Sequence, residues 1–143
     1  MASNVLVPVD GSPASQCAAE YAYEQFPDAT VRLLYVIDPM VDYSRRLAFP
    51  GYTEEDEFTN EREEAEAVLD SFLDVAPEGI TIETELAVGD PAGTIVEFCD
   101  ETDVDAVVIG SHGREGVARF LLGSVAETVV RRTAVPVTVV RPE

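Results

Sequence analysis

Residues 106–127 read AVVIGSHGREGVARFLLGSVAE: an apolar run, a glycine-bearing segment and the start of a helical pattern. The run at 106–109 predicts a buried strand, and the pattern from Ser124 to about Arg132 predicts a helix. Glycine lets the backbone approach a phosphate, and a helix N-terminus offers unpaired N–H groups and the positive end of a dipole. The combination is typical of an anion-binding site, although glycine also follows strands in proteins that bind nothing there.

The rest of the chain repeats this alternation of apolar strand segments and helical patterns. Such alternation is typical of an α/β fold with a parallel sheet. We therefore predict one domain over residues 1–143, with an open five-stranded parallel sheet and helices on both of its faces. The strands are expected at residues 5–9, 30–37, 80–88, 106–109 and 137–140.

Three further helices are predicted before the one at Ser124. Ser12 and Asp90 each stand before a proline, a pattern that predicts an N-cap followed by the first helical residue. An acidic segment between them carries an apolar stripe and predicts another helix. The helix side chains expected to be buried are Ala14, Cys17, Ala18, Tyr21, Ala22, Ala65, Val68, Leu69, Phe72, Leu73, Ala76, Ala92, Ile95, Val96 and Cys99.

The predicted topology brings two distant segments together. In open parallel sheets, ligands bind beyond the carboxyl ends of the strands, where the strand order reverses. Asp10 ends the first strand and Gly110 ends the fourth, so both can face the same crevice. The segment 38–53 contains two prolines, a glycine and two adjacent arginines, and is predicted to be a long functional loop.

The charge of the chain excludes several classes of partner. There are 28 acidic residues against 9 basic ones, a formal net charge of −19, and every basic residue is an arginine. Nucleic acid and anionic membranes are not expected partners, because both require basic patches. The acidic residues alternate with apolar ones, which indicates the solvated face of a folded domain adapted to a salt-rich cytoplasm.

The sequence also predicts where the protein resides. It contains no apolar stretch of 18 residues and no basic-then-apolar leader, so a cytoplasmic protein is expected. Cys17 and Cys99 are too few for a disulfide framework, and reduced thiols are expected in that compartment.

The absence of lysine narrows the kind of phosphate site that is possible. A P-loop needs a lysine on the phosphates, and phosphoacceptor receiver domains, which share this architecture, use a lysine near the last strand. A dinucleotide-binding GxGxxG pattern would follow the first strand, where only Gly11 stands. A phosphate site in this chain must therefore use backbone N–H groups, hydroxyls, arginine or a divalent cation.

Five segments make the chain resemble the universal stress protein family over essentially all of its length. They are VLVPVDGS at 5–12, LYVID at 34–38, VGDP at 88–91, the glycines of the 110–124 segment, and VPVTVV at 135–140. The spacing of Gly110, Gly113, Gly123 and Ser124 matches G-x2-G-x9-G-(S/T), the signature of the ATP-binding branch of the family. The resemblance implies a Rossmann-like fold of the adenine nucleotide alpha hydrolase type.

The resemblance also implies ATP as the ligand and roles for particular residues. The ends of the first two strands would contact the adenosine, and the glycine segment with the following helix start would hold the phosphates. The implied adenosine contacts are Pro8, Val9, Asp10 and Val36, and the implied phosphate contacts are Gly110, Gly113, Gly123, Ser124 and Val125.

Two of these residues have alternative explanations. Asp10 can be a turn residue before Gly11 rather than a nucleotide contact. Ser124 together with Glu127 forms the pattern of a capping box, which many helices have without a ligand. A capping role and a phosphate contact are compatible for this serine.

The charged residues of the glycine segment are further candidates. His112 has no serine–acid partner at recognisable spacing, so a side chain facing solvent or phosphate is expected rather than a catalytic base. Arg114 and Arg119 can neutralise phosphate charge or offset nearby acids. Because the chain is so acidic, a triphosphate is expected to bring Mg²⁺ or Mn²⁺, although no metal-ligand cluster is evident in the sequence.

The last predicted strand indicates that two copies of the chain associate. Residues 137–140 are apolar on both faces and are expected at an edge of the sheet, where an uncovered strand is prone to aggregate. Pairing with the same strand of a second copy would cover it with twofold symmetry, and the family resemblance implies such a homodimer.

Three functions remain open at this level. The first is a nucleotide-dependent sensor or regulator of a stress response, in which ATP biases loop 38–53 and contacts with an unidentified protein partner. The second is a slow ATPase, and the third is a nucleotide-free scaffold that acts through protein contacts. No residue set supplies an evident catalytic base, so the chain is expected to bind a nucleotide rather than to act as an enzyme.

Overall fold

The computed structural model describes residues 3–39, 54–111 and 122–142, with residues 54–60 described as backbone only. Within these ranges strands and helices alternate. The strands are β1 (Asn4–Pro8), β2 (Thr30–Ile37), β3 (Thr81–Val88), β4 (Ala106–Gly110) and β5 (Val137–Val140). The helices are α1 (Pro13–Gln25), α2 (Glu54–Asp74), α3 (Pro91–Glu101) and α4 (Ser124–Arg132).

The five strands form one parallel sheet in the order β3-β2-β1-β4-β5. The chain starts at the centre with β1, continues outward through β2 to β3, and then returns to the other side of β1 as β4. The strand order therefore reverses between β1 and β4. This arrangement confirms the predicted fold, and each strand begins and ends within one residue of its predicted bounds.

Each face of the sheet carries its own hydrophobic core. Val5 and Val7 of β1 pack on the face covered by α1 and α2, whereas Leu6 packs on the face covered by α3 and α4. Successive side chains of a strand point to opposite faces, so one short strand contributes to both cores. Burying a valine or leucine side chain contributes roughly 1.5–3 kcal/mol, and all three residues are fully buried.

The predicted helix faces are confirmed for α3 and need correction elsewhere. All four residues predicted for α3 are buried, but Leu73 of α2 is 42% exposed, so its prediction as a core residue is wrong. Leu73 follows the buried Phe72, and one residue further along a helix is about 100° around its axis, here on the solvent side. The buried stripe of α1 also differs from the prediction, because it includes Ala19 and Tyr23, whereas Cys17 and Tyr21 are only half-buried.

The predicted starts of α1 and α3 are confirmed. The Ser12 hydroxyl accepts a hydrogen bond from the Ser15 N–H at 3.2 Å, and the Asp90 carboxylate accepts one from the Gly93 N–H at 2.9 Å. Each cap is followed by proline at the first helical position, and such a cap typically contributes about 1 kcal/mol. None of the described helices is both long enough and apolar enough to cross a membrane.

The two cysteines are free thiols. Cys99 is buried between α3 and the sheet, and its burial raises the pKa of the thiol. Cys17 is only half-buried. Neither takes part in a disulfide, which agrees with the expectation from the cysteine count.

The start of the chain is held by the carboxylate of Asp105, just before β4. Its Oδ2 accepts hydrogen bonds from the Asn4 N–H at 2.8 Å, the Ser3 N–H at 2.9 Å and the Ser3 hydroxyl at 3.0 Å. These bonds, first those from the backbone of Asn4 and Ser3, lower the pKa of Asp105 below its ordinary value of 3.8. The ionised carboxylate thus fastens the amino end of β1 beside β4.

We predict that Asp105→Ala lowers the melting temperature at pH 7 and that the difference from the unmodified chain narrows at low pH. Because the pKa of Asp105 is lower in the folded chain than in the unfolded one, its stabilisation is present above about pH 3.8. It is lost as the pH falls through the folded value. Thermal unfolding at pH 7 and pH 3, with Asp103→Ala as the control, tests this. An equal effect of Asp105→Ala at both pH values would contradict it.

Candidate functional site

The candidate site lies at the carboxyl edge of the sheet, between β1 and β4. The two strands pair in parallel register, with Leu6 opposite Val107. Continuing this register places Asp10 level with Ser111, at the point where the strand order reverses. The topology therefore brings Asp10 to the end of β4, as the sequence predicts. Ligands of open parallel sheets bind at such a position.

Asp10 occupies a tight turn between β1 and α1. Its Oδ1 accepts a hydrogen bond from the Ser12 N–H at 2.9 Å, while its own N–H donates to the Ser15 hydroxyl at 3.4 Å. Gly11 between them has a φ of 82°, a left-handed conformation that favours glycine. The turn role of Asp10 is thus confirmed. Its side chain is only half-buried at the sheet edge, so a nucleotide contact stays a compatible prediction.

The other predicted adenosine contacts lie beside this turn. Pro8 and Val9 are buried, and the Val9 N–H donates to the Leu34 carbonyl of β2 at 2.9 Å. Val36, two residues further along β2, is half-buried and packs against the core on the α3 and α4 face. Together with Asp10 they form the β1–β2 side of the site.

Gly110 has a packing role that the sequence did not reveal. A Cβ atom at this position would lie 2.7 Å from the carbonyl carbon of Ala14, 2.8 Å from its Cβ and 2.9 Å from its oxygen. The first turn of α1 therefore occupies the space where a side chain would be. Glycine is required here for the approach of helix and strand, whether or not a phosphate is bound.

Ser111 connects three elements at the base of the glycine segment, and sequence reasoning missed it. Its N–H donates to the Val140 carbonyl of β5 at 2.8 Å, and its carbonyl accepts from the Gly123 N–H at 2.6 Å. Only 1% of Ser111 is exposed. Ser111 and Gly123, one on each side of residues 112–121, are thereby held together. A small polar residue directly after a buried strand was the only signal for this role in the sequence.

The N-terminus of α4 differs from the predicted capping box. Gly123 is the N-cap and makes no side-chain capping bond, and its carbonyl accepts the first helical hydrogen bond, from the Glu127 N–H at 3.0 Å. Ser124 is thus already the first helical residue, one position too late to cap. The carboxylate of Glu127 instead lies 2.8 Å from the Arg131 guanidinium. The capping-box alternative for Ser124 and Glu127 is wrong.

Without a side-chain cap, this helix start is suited to an external anion. In an α-helix the N–H groups of the first turn have no intrahelical acceptor, and here these belong to Ser124, Val125 and Ala126. The helix dipole adds the equivalent of about half a positive charge at this end. Ser124 is exposed and Val125 is half-buried, so the turn is open to solvent.

Several predicted residues fall outside the described ranges. His112, Gly113, Arg114 and Arg119 belong to residues 112–121, and almost all of the predicted loop 38–53 belongs to residues 40–53. Among the described side chains, no group of three or more His, Cys, Asp or Glu residues is arranged to hold a metal ion. The site assembled by the described residues therefore consists of backbone donors, one carboxylate and apolar walls.

The fold is that of a doubly wound α/β domain, whose switch point is where ligands of such domains bind, and here an open helix start lies beside it. The universal stress protein family model matches residues 1–141, and the chain belongs to this family. Universal stress protein MJ0531 of Methanocaldococcus jannaschii is 37% identical to it over 145 residues, which span 96% of this chain and 81% of that protein.

Solved structures show the same relationship. The structure of MJ0577 from the same archaeon superimposes with a TM-score of 0.74 at 28% identity, covering 99% of this chain and 96% of that one. A universal stress protein crystallised in complex with cAMP superimposes with a TM-score of 0.62 at 26% identity, covering 99% of this chain and 98% of that one. That relative was therefore crystallised with a nucleotide bound.

We predict that Gly110→Ala destabilises the chain by about 1–3 kcal/mol, the usual cost of overpacking a close contact. The added methyl group would meet backbone atoms of Ala14, which cannot rotate away. Adding Ala14→Gly should recover part of the loss, since it removes one of the three close contacts. Denaturant unfolding of both single variants and the double variant measures this coupling. If Gly110→Ala is as stable as the unmodified chain, the packing role is refuted.

Proposed function

We propose that this chain binds an adenine nucleotide, ATP with Mg²⁺ or Mn²⁺, and acts as a nucleotide-dependent sensor or regulator in a stress response. The nucleotide would lie across the carboxyl edge of the sheet, with its adenosine on the β1–β2 side and its phosphates at the start of α4. Family membership supports the stress-response role, and the site geometry supports the ligand.

The observation that carries this proposal is the uncapped start of α4. Gly123 caps the helix with its backbone alone, and the Ser111 carbonyl holds this residue against the end of β4. The N–H groups of the first helical turn are thereby fixed beside the switch point. Fixed donors bind an anion without the entropy cost of ordering a loop at that moment.

The adenosine half of the site has the chemistry that a purine nucleoside requires. Apolar Pro8, Val9 and Val36 can cover the flat faces of a base, and the half-buried carboxylate of Asp10 can accept a hydrogen bond from a ribose hydroxyl or an exocyclic amine. One oxygen of Asp10 already bonds to the Ser12 N–H, which holds the carboxylate in a defined orientation. The cAMP complex of a 26% identical relative supports an adenine nucleotide as the ligand class.

The charge of the chain bears on the form in which the nucleotide would bind. A net charge of −19 without lysine repels a triphosphate, and a divalent cation would reduce that repulsion. Arg114 and Arg119 of the glycine segment would add positive charge beside the phosphates. The metal would therefore be held chiefly by the phosphates rather than by a cluster of protein ligands.

A homodimer through β5 is the second part of the proposal. The two edge strands of the sheet are β3 and β5, and they differ in character. β3 presents exposed Glu83 and Glu85, and charges of this kind discourage pairing between sheet edges. β5 is VTVV, half-exposed along its length and without a charge. The β5 edge is therefore the one suited to pair with a second copy.

We predict that Gly123→Val lowers ATP affinity at least tenfold, which corresponds to about 1.4 kcal/mol, while the fold is kept. The φ and ψ of Gly123, −64° and 156°, are accessible to valine, so the loss would come from the side chain beside the phosphates. Ala134→Val is the matched control, because Ala134 is exposed in the loop after the other end of α4. Titration calorimetry with Mg²⁺–ATP in concentrated salt measures the affinity.

Two outcomes of that titration would contradict the proposal. Equal affinity of Gly123→Val and the unmodified chain would show that the phosphates lie elsewhere. Absence of ATP binding to the unmodified chain, together with no nucleotide recovered from the purified protein by mass spectrometry, would favour a nucleotide-free scaffold. Phosphate release measured on the same samples separates a binding protein from a slow ATPase.

We predict that Val139→Pro converts the dimer to a monomer without breaking the sheet. The Pro136 and Val140 carbonyls point toward β4, where they accept from the Val107 and Ser111 N–H groups. Backbone groups alternate in direction along a strand, so those of Val139 point to the open edge. Proline there removes only an outward N–H, which edge strands tolerate.

The matched control for this substitution is Thr84→Pro on the opposite edge. The Gly89 N–H donates to the Ile37 carbonyl of β2, so by the same alternation the backbone of Thr84 points away from the sheet. Sedimentation analysis should show a dimer for the unmodified chain and for Thr84→Pro, and a monomer for Val139→Pro. A dimer of unchanged strength in Val139→Pro would exclude β5 as the interface.

A further inference from the structure

β3 is a long edge strand whose middle is open to solvent. It is the first strand in the sheet order, so among the described strands only β2 pairs with it. Glu83, Thr84 and Glu85 are all exposed, although successive side chains of a strand point to opposite faces of the sheet. The helices that cover the rest of the sheet therefore leave this stretch uncovered on both faces.

The free edge of β3 presents a regular row of backbone groups. The Gly89 N–H donates to the Ile37 carbonyl of β2 at 2.9 Å, and backbone groups alternate in direction along a strand. The N–H and carbonyl groups of Ile82, Thr84 and Leu86 therefore point away from the sheet. An extended peptide can pair with such a row and add a further strand to the sheet.

β3 lacks most of the features that keep edge strands from pairing. Edge strands are commonly very short, bulged, or interrupted by proline or lysine. β3 instead reads TIETELAV over eight residues and pairs with β2 in unbroken register. Its only charges are those of Glu83 and Glu85. Glutamates repel another acidic edge, including that of a second copy, but they attract a strand that carries positive charges.

The two faces of β3 differ in chemistry, and this difference defines the strand that would fit. Ile82 and Leu86 are half-buried on the face covered by α1 and α2, whereas Glu83 and Glu85 lie on the other face. Side chains of an added strand would alternate between the same two faces. Apolar residues would therefore lie opposite Ile82 and Leu86, and basic residues opposite the glutamates.

The two glutamates are not equivalent. The carboxylate of Glu83 lies 2.9 Å from the guanidinium of Arg32, which is itself 5.7 Å from the centre of the Phe98 ring. This ion pair offsets part of the charge of Glu83. Glu85 lies opposite Leu34 of β2, which carries no charge. Glu85 is therefore the stronger attraction for a basic side chain.

We propose that the free edge of β3 binds an extended segment of another protein in which apolar and basic residues alternate. The segment would become a sixth strand, bonded through the backbone of Ile82, Thr84 and Leu86, with basic side chains at Glu85 and, more weakly, at Glu83. This inference goes beyond the proposed function, because it concerns neither the nucleotide site nor the β5 edge.

Two capped peptides of equal composition and charge test the proposal. In KVKTKVK charged and uncharged residues alternate, whereas in KKVTVKK they are grouped. Titration of the full-length chain, followed by amide chemical shifts, should show KVKTKVK binding at least fivefold more tightly, with shifts centred on residues 81–88. The preference should persist in concentrated salt, which screens charge but not strand hydrogen bonds. Equal affinity, no binding, or shifts centred elsewhere would overturn the proposal.

Two N-methylated forms of KVKTKVK test the backbone bonds without changing the charge. Methylation of the valine and threonine nitrogens blocks an antiparallel added strand, and methylation of the lysine nitrogens blocks a parallel one. One form should lose binding and the other should keep it. Retention of binding by both forms would show that the peptide is held by charge alone, and would refute the added strand.

Substitutions in the chain test the same contacts from the other side. Thr84→Pro removes an outward N–H and should abolish binding of KVKTKVK, whereas Val139→Pro on the opposite edge should leave it unchanged. Glu85→Gln should weaken binding at least threefold. Its control is Glu24→Gln, at an exposed position on α1, which packs against β4. An equal loss in the two glutamine variants would mean that only the overall charge attracts the peptide.

Thermal unfolding of Thr84→Pro separates loss of the docking edge from loss of the fold. A melting temperature close to that of the unmodified chain, together with lost peptide binding, supports the proposal. If this variant unfolds, the N-methylated peptides decide the question on the unmodified chain. Titration with Mg²⁺–ATP in the presence of KVKTKVK keeps the outcome separate from that of the nucleotide proposal, since the peptide should not displace the nucleotide.

Discussion

Burial of two neighbouring strands on both faces is the constraint from which the rest of the structure follows. Val5, Leu6 and Val7 of β1 and Val107 and Val108 of β4 have no exposed surface. Helices must therefore cover both sides of the sheet, and the chain must leave β1 in one direction and return on the other side. That reversal leaves a crevice beyond the ends of β1 and β4, because the crossovers that follow the two strands lie on opposite sides of it. The candidate site is in this sense a product of core formation.

The site is assembled mainly by backbone groups. The Ser111 N–H and carbonyl join β4 to β5 and to the N-cap of α4, while Asp10 is held by the turn that starts α1. Side-chain identity matters less for these contacts than chain direction and spacing do. In the proposed function, these backbone contacts would give a protein without lysine a preorganised anion site at the end of its sheet. The same backbone contacts connect the helix start to the edge strand β5.

The fold could be predicted from the sequence almost completely, because each of its elements carries a strong local signal. Ser12-Pro13 and Asp90-Pro91 mark helix starts, and the apolar runs mark strands within one residue of their observed bounds. The errors arose where spatial neighbours decide. Ser124 has the sequence pattern of a cap, but the bond from Gly123 to Ser111 moves the helix start by one residue. Leu73 fits an apolar stripe but lies on the solvent side.

The site was predictable only at the level of its location. Asp10 and the end of β4 meet because of the strand topology. The spacing of apolar residues in the sequence predicts that topology. The contact of Gly110 with Ala14 does not, because it depends on how closely α1 approaches the sheet. The sequence likewise did not reveal that the buried hydroxyl of Tyr23 has no partner among the described residues, since an aromatic residue on an apolar helix face gives no sign of what its polar end meets.

The packing of Gly110 changes how the glycine signature should be used to classify related chains. The first glycine of the signature is needed for the close approach of α1 to the sheet, so a descendant that had lost its ligand would still retain this glycine. The presence of this glycine is therefore weak evidence for nucleotide binding. The later glycine and the serine, at the start of α4, are the positions released from constraint when no phosphate is held. Comparing relatives at these two positions distinguishes chains that have inherited only the fold from chains that have also inherited the activity.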